Sequence, residues 1–459
     1  MRPPLLAPIH FIGLGGAGMS GIARICLDRG LSVSGSDIKS STTLDALSLS
    51  GATVFVGHAE QNIADARTVV ISSAIKEENV ELHSARSKGI PVISRAQALA
   101  TLLEGFTSIA VAGTHGKTTT TSILTIALQR LGMDPSFAIG GTPHDSRANS
   151  HQGKGSIFVV EADESDGSFV EYHPDYAIVT NVEVDHVDHF ADSAEIDRAF
   201  DELIGTVRKA VVLCADDPGS ARLAVTAKAR ALDTYLYGEA ANADLRISHI
   251  HSTGSGSRYR ASWQGKVLGE ITLSVVGRHN VLNSAAALAT LIILGAPHSE
   301  VITALGEFTG VARRFENRGI ARGIRIIDDY AHHPTEVRAT IAAARLAADG
   351  GKVRVIFQPH RYSRTLAFSD EFADALAGAD QVVLLDIYSA GEEALPGASS
   401  AAIAAQIRAL SGEGEFEPNQ MQAIERVIAG AESGDIILTM GAGDVTSLAP
   451  AILAAINEG

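Results

Sequence analysis

The sequence predicts an α/β protein of three domains, and three observations carry that prediction. With 459 residues the chain is too long for one hydrophobic core, since a domain takes roughly 100–200 residues. Its composition, 46% hydrophobic and 5% aromatic with 44 glycines, is the Ala/Gly/Val-rich balance of layered α/β proteins. Short apolar runs also alternate with helical patterns over most of the length, and the runs close on polar residues.

The first block covers residues 1–104. "IHFIGLG", "LSVSGSD", "TVVISSAI" and "IPVISR" read as strands, and residues 17–29 and 95–103 as helices. Such alternation builds a mostly parallel, helix-covered sheet, here a Rossmann-like N-terminal domain. The second block, 105–312, starts at "FTSIAVAGTHGK" and continues through "SIFVVEADES", "YAIVTNVEVDH" and "AVVLCADD". It reads as a P-loop ATPase-like domain. Inside it, "HSTGSGSRYRASWQGKVLGEITLSV" alternates in strand fashion and predicts a β-ribbon or small antiparallel sheet. Residues 280–306 read as helical. The third block, 313–459, runs from "IRIIDDYAHHP" through "VRVIFQPHR" and "QVVLLDIYSAGE" to "DIILTMGAGD" and is again Rossmann-like. Ligands of open α/β sheets bind beyond the strand C-termini, which is where the polar residues gather.

A net charge of −16 argues against a nucleic-acid footprint, which needs a basic face. It leaves anion binding open, because glycine turns and helix N-termini hold phosphate in acidic proteins as well. Cys26 and Cys214 are far apart in apolar surroundings, so no disulfide framework is expected and a reducing compartment fits. "MRPPLLAPIH" does not read as a signal peptide. The longest apolar run, "AAALATLIILGA", is about half the ~20 residues of a membrane span. A cytoplasmic protein is expected.

Two phosphate cradles stand out. Gly13, Gly15 and Gly18 form G-x-G-x-x-G between a strand and a helix, and Asp37 ends the next strand. Alone this favours an NAD-dependent oxidoreductase; tight strand–helix packing uses the same glycines. The physics supports a narrower statement: a pyrophosphate fits this helix N-terminus. The second cradle, Gly113-Thr114-His115-Gly116-Lys117-Thr118, departs from a strict Walker A, having Val111 where that motif has glycine. Its working parts remain: turn amides for phosphate, Lys117 for the β/γ oxygens and the Thr118 hydroxyl for Mg²⁺. In "EADESDGS", Glu161 and Asp163 alternate and are expected to face opposite ways; Glu161, at the strand end, is the metal candidate. His186 and His189 in "TNVEVDHVDH" suggest zinc, but the remaining ligands of a four-coordinate site are not evident. Mg²⁺ with phosphate, carboxylate and one imidazole fits better.

"GTHGKTTT", "EADESD", "TNVEVDH", "GRHNVLNSAAA", "FTGVARRFE", "DDYAHHPTE" and "FQPHRYSRT" occur in this order across nearly the whole chain. Together they resemble the Mur ligases of peptidoglycan synthesis, enzymes tied to cell-wall biogenesis, cell shape and cell division. Folylpolyglutamate synthases share the shortened P-loop but lack the last two motifs. The resemblance implies ATP-driven joining of L-alanine to the lactyl carboxylate of UDP-N-acetylmuramate through an acyl phosphate, with two Mg²⁺ ions. The alternative is a recycling ligase that attaches a whole peptide to the same sugar nucleotide; a non-catalytic nucleotide-binding regulator would keep only the cradles.

The resemblance also assigns residues. Gly15, Gly16, Ala17, Gly18, Met19, Asp37, Ser72 and Ser73 would hold the UDP-sugar. Gly113, Thr114, His115, Gly116, Lys117, Thr118, Thr119, His279, Asn280, Arg314 and Asp329 would hold ATP. Thr118 and Glu161 would bind one Mg²⁺ and His186 the second. Tyr330, His332, Arg361 and Arg364 would receive the amino acid, the two arginines sharing a face three residues apart. Lys117, His186, Arg314, His332, Arg361 and Arg364 form the implied catalytic set, and the enzyme would be a monomer or dimer. One departure is plain. Several Mur ligases hold a metal with a carbamylated lysine after the "DH" motif, yet no lysine precedes Lys209 here. Asp197, Asp201 and Glu202 are the carboxylates expected to replace it, making activity independent of bicarbonate.

Overall fold

The computed structural model describes residues 5–458 apart from 147, 186–189, 191 and 411. The chain forms two compact units. One comprises Met1–Val182, Asp197–Ala243 and Ala286–Ala304; the other comprises Glu183–Ile196, Asp244–Ala285 and Leu305–Gly459.

The first unit holds two mainly parallel sheets. In one, the strands run in the order Thr53–Val56, Val33–Asp37, Ile9–Ile12, Thr68–Ile71, Val92–Ser94, all parallel. The order reverses on either side of Ile9–Ile12, the topological switch point at which such sheets bind ligands. Ile9–Ile12 is buried throughout, as an apolar run covered on both faces must be. Thr53–Val56 was not expected: it is a four-residue edge strand whose side chains stay partly or fully exposed, so it lacks the apolar signature. The other sheet is centred on Thr107–Ala112, with Tyr176–Val179, Ala210–Cys214 and Asp233–Gly238 on one side. Ile157–Glu161 and Ser136–Ala138 lie on the other. Helix Lys117–Arg130 follows the central strand after one tight turn.

In the second unit, Leu245–Thr253, Gly256–Trp263 and Lys266–Leu273 pair antiparallel in succession, as the alternation of the segment predicts. The C-terminal sheet has the order Glu316–Ala321, Ile324–Asp329, Ile436–Met440, Val353–Phe357, Gln381–Leu384, Gly414–Phe416, parallel except at the first pair. Val353, Val355 and Phe357 enter one apolar cluster while Ile356 enters the other, the two-residue period of a strand buried on both faces.

Two expectations are corrected. Residues 280–306 form two helices, Arg278–Ile293 and His298–Gly306. Gly295 adopts φ +85° between them and Pro297 removes a helical N–H. The strand carrying Glu161 ends at Glu161, and because residues two apart on a strand share a face, Glu161 and Asp163 are not opposed. Cys26 and Cys214 are free and buried. No helix among the described residues is long and apolar enough to cross a membrane.

Candidate active site

The glycine turn after Ile9–Ile12 is locked by its own backbone. Gly13 takes φ +82°, and the Gly15 amide donates to Asp37 Oδ2 at 2.8 Å. A side chain at position 15 would meet that oxygen at 2.8 Å. Asp37 Oδ1 accepts from the adjacent Ile38 amide, which leaves Oδ2 to brace the turn. Gly16, Ala17, Gly18, Met19 and Ser72 line a cavity of about 300 Å³ that also reaches Glu161 and Asp163. Ser73 is exposed. Glu161 and Asp163, expected to diverge, share one cavity; residues two apart on an extended chain face the same side, so the expected divergence does not hold.

The second cradle is held by groups the sequence analysis did not single out. The Thr114 amide donates to Asn181 O at 3.0 Å and the His115 amide to Asn181 Oδ1 at 2.8 Å. The Thr180 hydroxyl donates to His115 O at 2.6 Å. Two turn amides expected to bind phosphate are therefore bonded to the loop after Tyr176–Val179. The signal lay in "TN", polar residues directly after an apolar strand. Gly116 caps helix Lys117–Arg130 with φ +82°, and Thr119 is buried in its first turn. Lys117 Nζ donates to Gly113 O, to Thr114 O and to Glu164 at 2.8 Å. Burial alone would lower the lysine's pKa, but Glu164, Asp163 and Glu161 push it well up, so it stays an ammonium. The Thr118 hydroxyl donates to Glu161 Oε1 at 2.8 Å, and the Gly140 amide donates to Oε2. Burial raises the Glu161 pKa, leaving a carboxylate that a cation would stabilise.

In the second unit, His279 opens helix Arg278–Ile293, and burial pushes its pKa down to about 4. Asn280 donates to Val276 O and accepts from Asn283, using one of its two N–H donors and one of its two lone pairs locally. Asp329 is buried; it accepts from the Phe315 and Ala331 amides and the Thr340 hydroxyl. It pins the turn that carries Arg314, and burial lifts its pKa to about 6 despite Arg314. Arg314 lies 5.0 Å from the Tyr330 ring centre and 3.9 Å from Glu336.

His332 Nδ1 lies 2.9 Å from Tyr330 O, which as a carbonyl only accepts, so the proton is on Nδ1. Its ring meets Tyr330 and His360 edge-on, and His360 stacks on Tyr388. Burial lowers His332 to about 3 and His360, with Arg364 and Arg361 beside it, to about 4. The two arginines part company. Arg364 is buried in helix Tyr362–Ala367 and donates to Asp185 Oδ1 at 2.9 Å. Arg361 precedes the helix at φ +68°, 3.8 Å from Glu392. Asp185, His360, Tyr388 and Glu392, in loops, and Glu336, in the first turn of helix Pro334–Ala348, were not singled out, because single polar residues carry no periodic signal. His186 and His189 lie outside the described residues.

Family profiles match this chain along its length: "Mur ligase family, catalytic domain" over residues 8–107, "Mur ligase middle domain" over 111–291 and "Mur ligase, glutamate ligase domain" over 313–443. The chain belongs to the Mur ligase family. Among its relatives, a UDP-N-acetylmuramate–L-alanine ligase of Acidothermus cellulolyticus is 49% identical over 99% of this chain and 96% of its own. Another of the same name, from Mycolicibacterium smegmatis, is 46% identical over 98% of this chain and 95% of its own. Among solved structures, a UDP-N-acetylmuramate–alanine ligase of Thermotoga maritima superposes with a TM-score of 0.82 at 30% identity, covering 98% of this chain and 99% of that one. A murein peptide ligase of Psychrobacter arcticus gives 0.70 at 25%, with the same coverage. For this Mur ligase two of the three carboxylates expected to stand in for a carbamylated lysine pair with an arginine. Asp197 and Asp201 both bind Arg222, at 3.0 and 2.8 Å. Lys209 lies 3.5 Å from Asp175.

Proposed function

We infer that this chain is an ATP-dependent ligase that joins L-alanine to UDP-N-acetylmuramate in peptidoglycan precursor synthesis, forming ADP and phosphate. The observation that carries this is the 49% identity, over 99% of the chain, to a relative named for that ligation. The P-loop geometry around Lys117 agrees with it. A carboxylate resists amine attack until one oxygen becomes a phosphate leaving group. The lactyl carboxylate therefore takes the γ-phosphoryl group of ATP, and the alanine amine then displaces phosphate through a tetrahedral intermediate.

The chain's part is positioning and charge neutralisation. Lys117, kept protonated by its carboxylate neighbours, offers its charge to the transferred phosphoryl group. Arg314 offers a second cation to the ATP phosphates. His279 and Asn280 are the proposed adenine contacts, with Asp329 holding the Arg314 turn. Arg361 and Arg364 receive the alanine carboxylate and the developing oxyanion, beside Tyr330 and an uncharged His332. Thr118 and Glu161 put two hard oxygen donors 2.8 Å apart, which fits Mg²⁺. A bound ion there would neutralise charge on the phosphates; His186 is the proposed holder of a second ion. The proposed domains are 1–104 for the UDP-sugar, 105–312 for ATP and 313–459 for the amino acid. A cytoplasmic monomer or dimer completes the proposal, with buried free cysteines in keeping with a reducing compartment.

A phosphate-release assay tests it. ATP turnover should require UDP-N-acetylmuramate and L-alanine together. Preference for an intact peptide over alanine would favour the recycling reaction, and turnover with neither would defeat ligation.

A further inference from the structure

Arg95 begins helix Arg95–Leu102, directly after strand Val92–Ser94, and its side chain crosses Gly18. A Cβ at position 18 would stand 3.0 Å from Arg95 Cδ and 3.2 Å from Nη1. Gly18 has no positive φ. A side chain at this third fingerprint position would press on the Arg95 guanidinium, so the glycine leaves room for that group where no backbone freedom is needed.

The guanidinium enters the cavity beside Gly16, Ser72, Glu161 and Asp163, and it is the one cation among the described residues lining it. The side chain is 23% exposed, and its nearest carboxylate, Asp166, is 4.0 Å away, beyond hydrogen-bond range. None of its donors bonds a described residue. An arginine this enclosed keeps its charge and wants acceptors. The cavity also needs that charge. Its wall carries two carboxylates, a pyrophosphate diester brings two more negative charges, and a helix N-terminus returns only about half a charge.

We propose that Arg95 clamps the pyrophosphate of the sugar nucleotide, its fork taking one oxygen from each phosphate across Gly18. This rests on the UDP-sugar reading of the first cradle.

Calorimetry on the full chain with a saturating non-hydrolysable ATP analogue tests it, using UDP and UDP-N-acetylmuramate as ligands. Arg95→Ala should lose at least about tenfold in affinity for both, by similar factors, since both carry the pyrophosphate. Arg95→Lys should recover part of the loss, and affinity for the ATP analogue should stay within about twofold, showing an intact fold. Gly18→Ala should weaken UDP binding in the native chain but add little to Arg95→Ala. UDP affinity unchanged in Arg95→Ala overturns the proposal, including when only the full substrate weakens, which would move Arg95 to the lactyl carboxylate. If Arg95→Ala loses ATP binding too, Gly18→Ala decides: unchanged UDP affinity there overturns it equally. A native chain that binds neither UDP ligand defeats the sugar-nucleotide reading instead.

Discussion

Lys117 is engaged by Glu164 before any nucleotide arrives, with both side chains nearly buried. A phosphate must share that ammonium. Lys117→Ala should lower kcat at least about 100-fold, roughly 2.7 kcal/mol of barrier, while UDP-sugar affinity stays within about twofold. It should also melt earlier, because breaking a buried ion pair from one side costs about 3–5 kcal/mol. Turnover above a tenth of native would refute the P-loop role. The paired arginines call for different outcomes. Arg361 is partly exposed at 31% and strained at φ +68°, and such conformations gather at functional sites. Arg361→Ala should raise the alanine KM about tenfold with little change in melting, while hydroxylamine still traps the acyl phosphate. Arg364→Ala removes the buried ion pair with Asp185 and should destabilise as well as slow ligation. Equal melting temperatures for the two variants would contradict this division.

At the scale of elements, the P-loop is a strand, a turn and a helix held from the neighbouring strand end. Gly113 has φ +128°, and a Cβ there would lie 2.1 Å from the Thr180 hydroxyl. Gly113→Ala must open the contact between the turn and Thr180–Asn181. It should lower the melting temperature by several degrees and abolish ATP-induced thermal stabilisation; retained stabilisation by ATP would show that the turn tolerates displacement. The glycine was legible as part of a cradle, but its clamp was not. The hydrogen bonds of Thr114 and His115 to Asn181 join positions more than 60 residues apart. Strand-and-turn elements with strong apolar runs were legible in the same way, whereas the exposed edge strand Thr53–Val56 and the break near Pro297 were missed.

For the molecule as a whole, three partly buried imidazoles shape the response to acid. His279, His332 and His360 sit at about 4, 3 and 4, whereas a free imidazole titrates near ~6.5. Below that pH the unfolded chain binds protons that the folded chain does not, so their contribution is complete above about 6.5 and declines as pH falls. Asp329, raised to about 6, works oppositely: its contribution is present below the free carboxylate value and is lost as pH rises through 6. Three groups outweigh one. Melting should therefore occur at a lower temperature at pH 5 than at pH 7, and His360→Gln should reduce the difference. A melting temperature that is flat or rises on acidification would count against the burial of these rings.

The sequence by itself determined the layered α/β architecture, the two glycine cradles and the family, because strand periods, turn glycines and ordered motifs are local along the chain. It also placed Lys117, Thr118 and Glu161 near one another, since a P-loop and the next parallel strand end have a set geometry. Only the tertiary structure decided which charges meet: Glu164 with Lys117, Asp185 with Arg364, Arg222 with Asp197 and Asp201, and Arg95 across Gly18. Ion pairing depends on distance in space and on exclusion of water. Neither is written in the spacing of residues until the chain has folded.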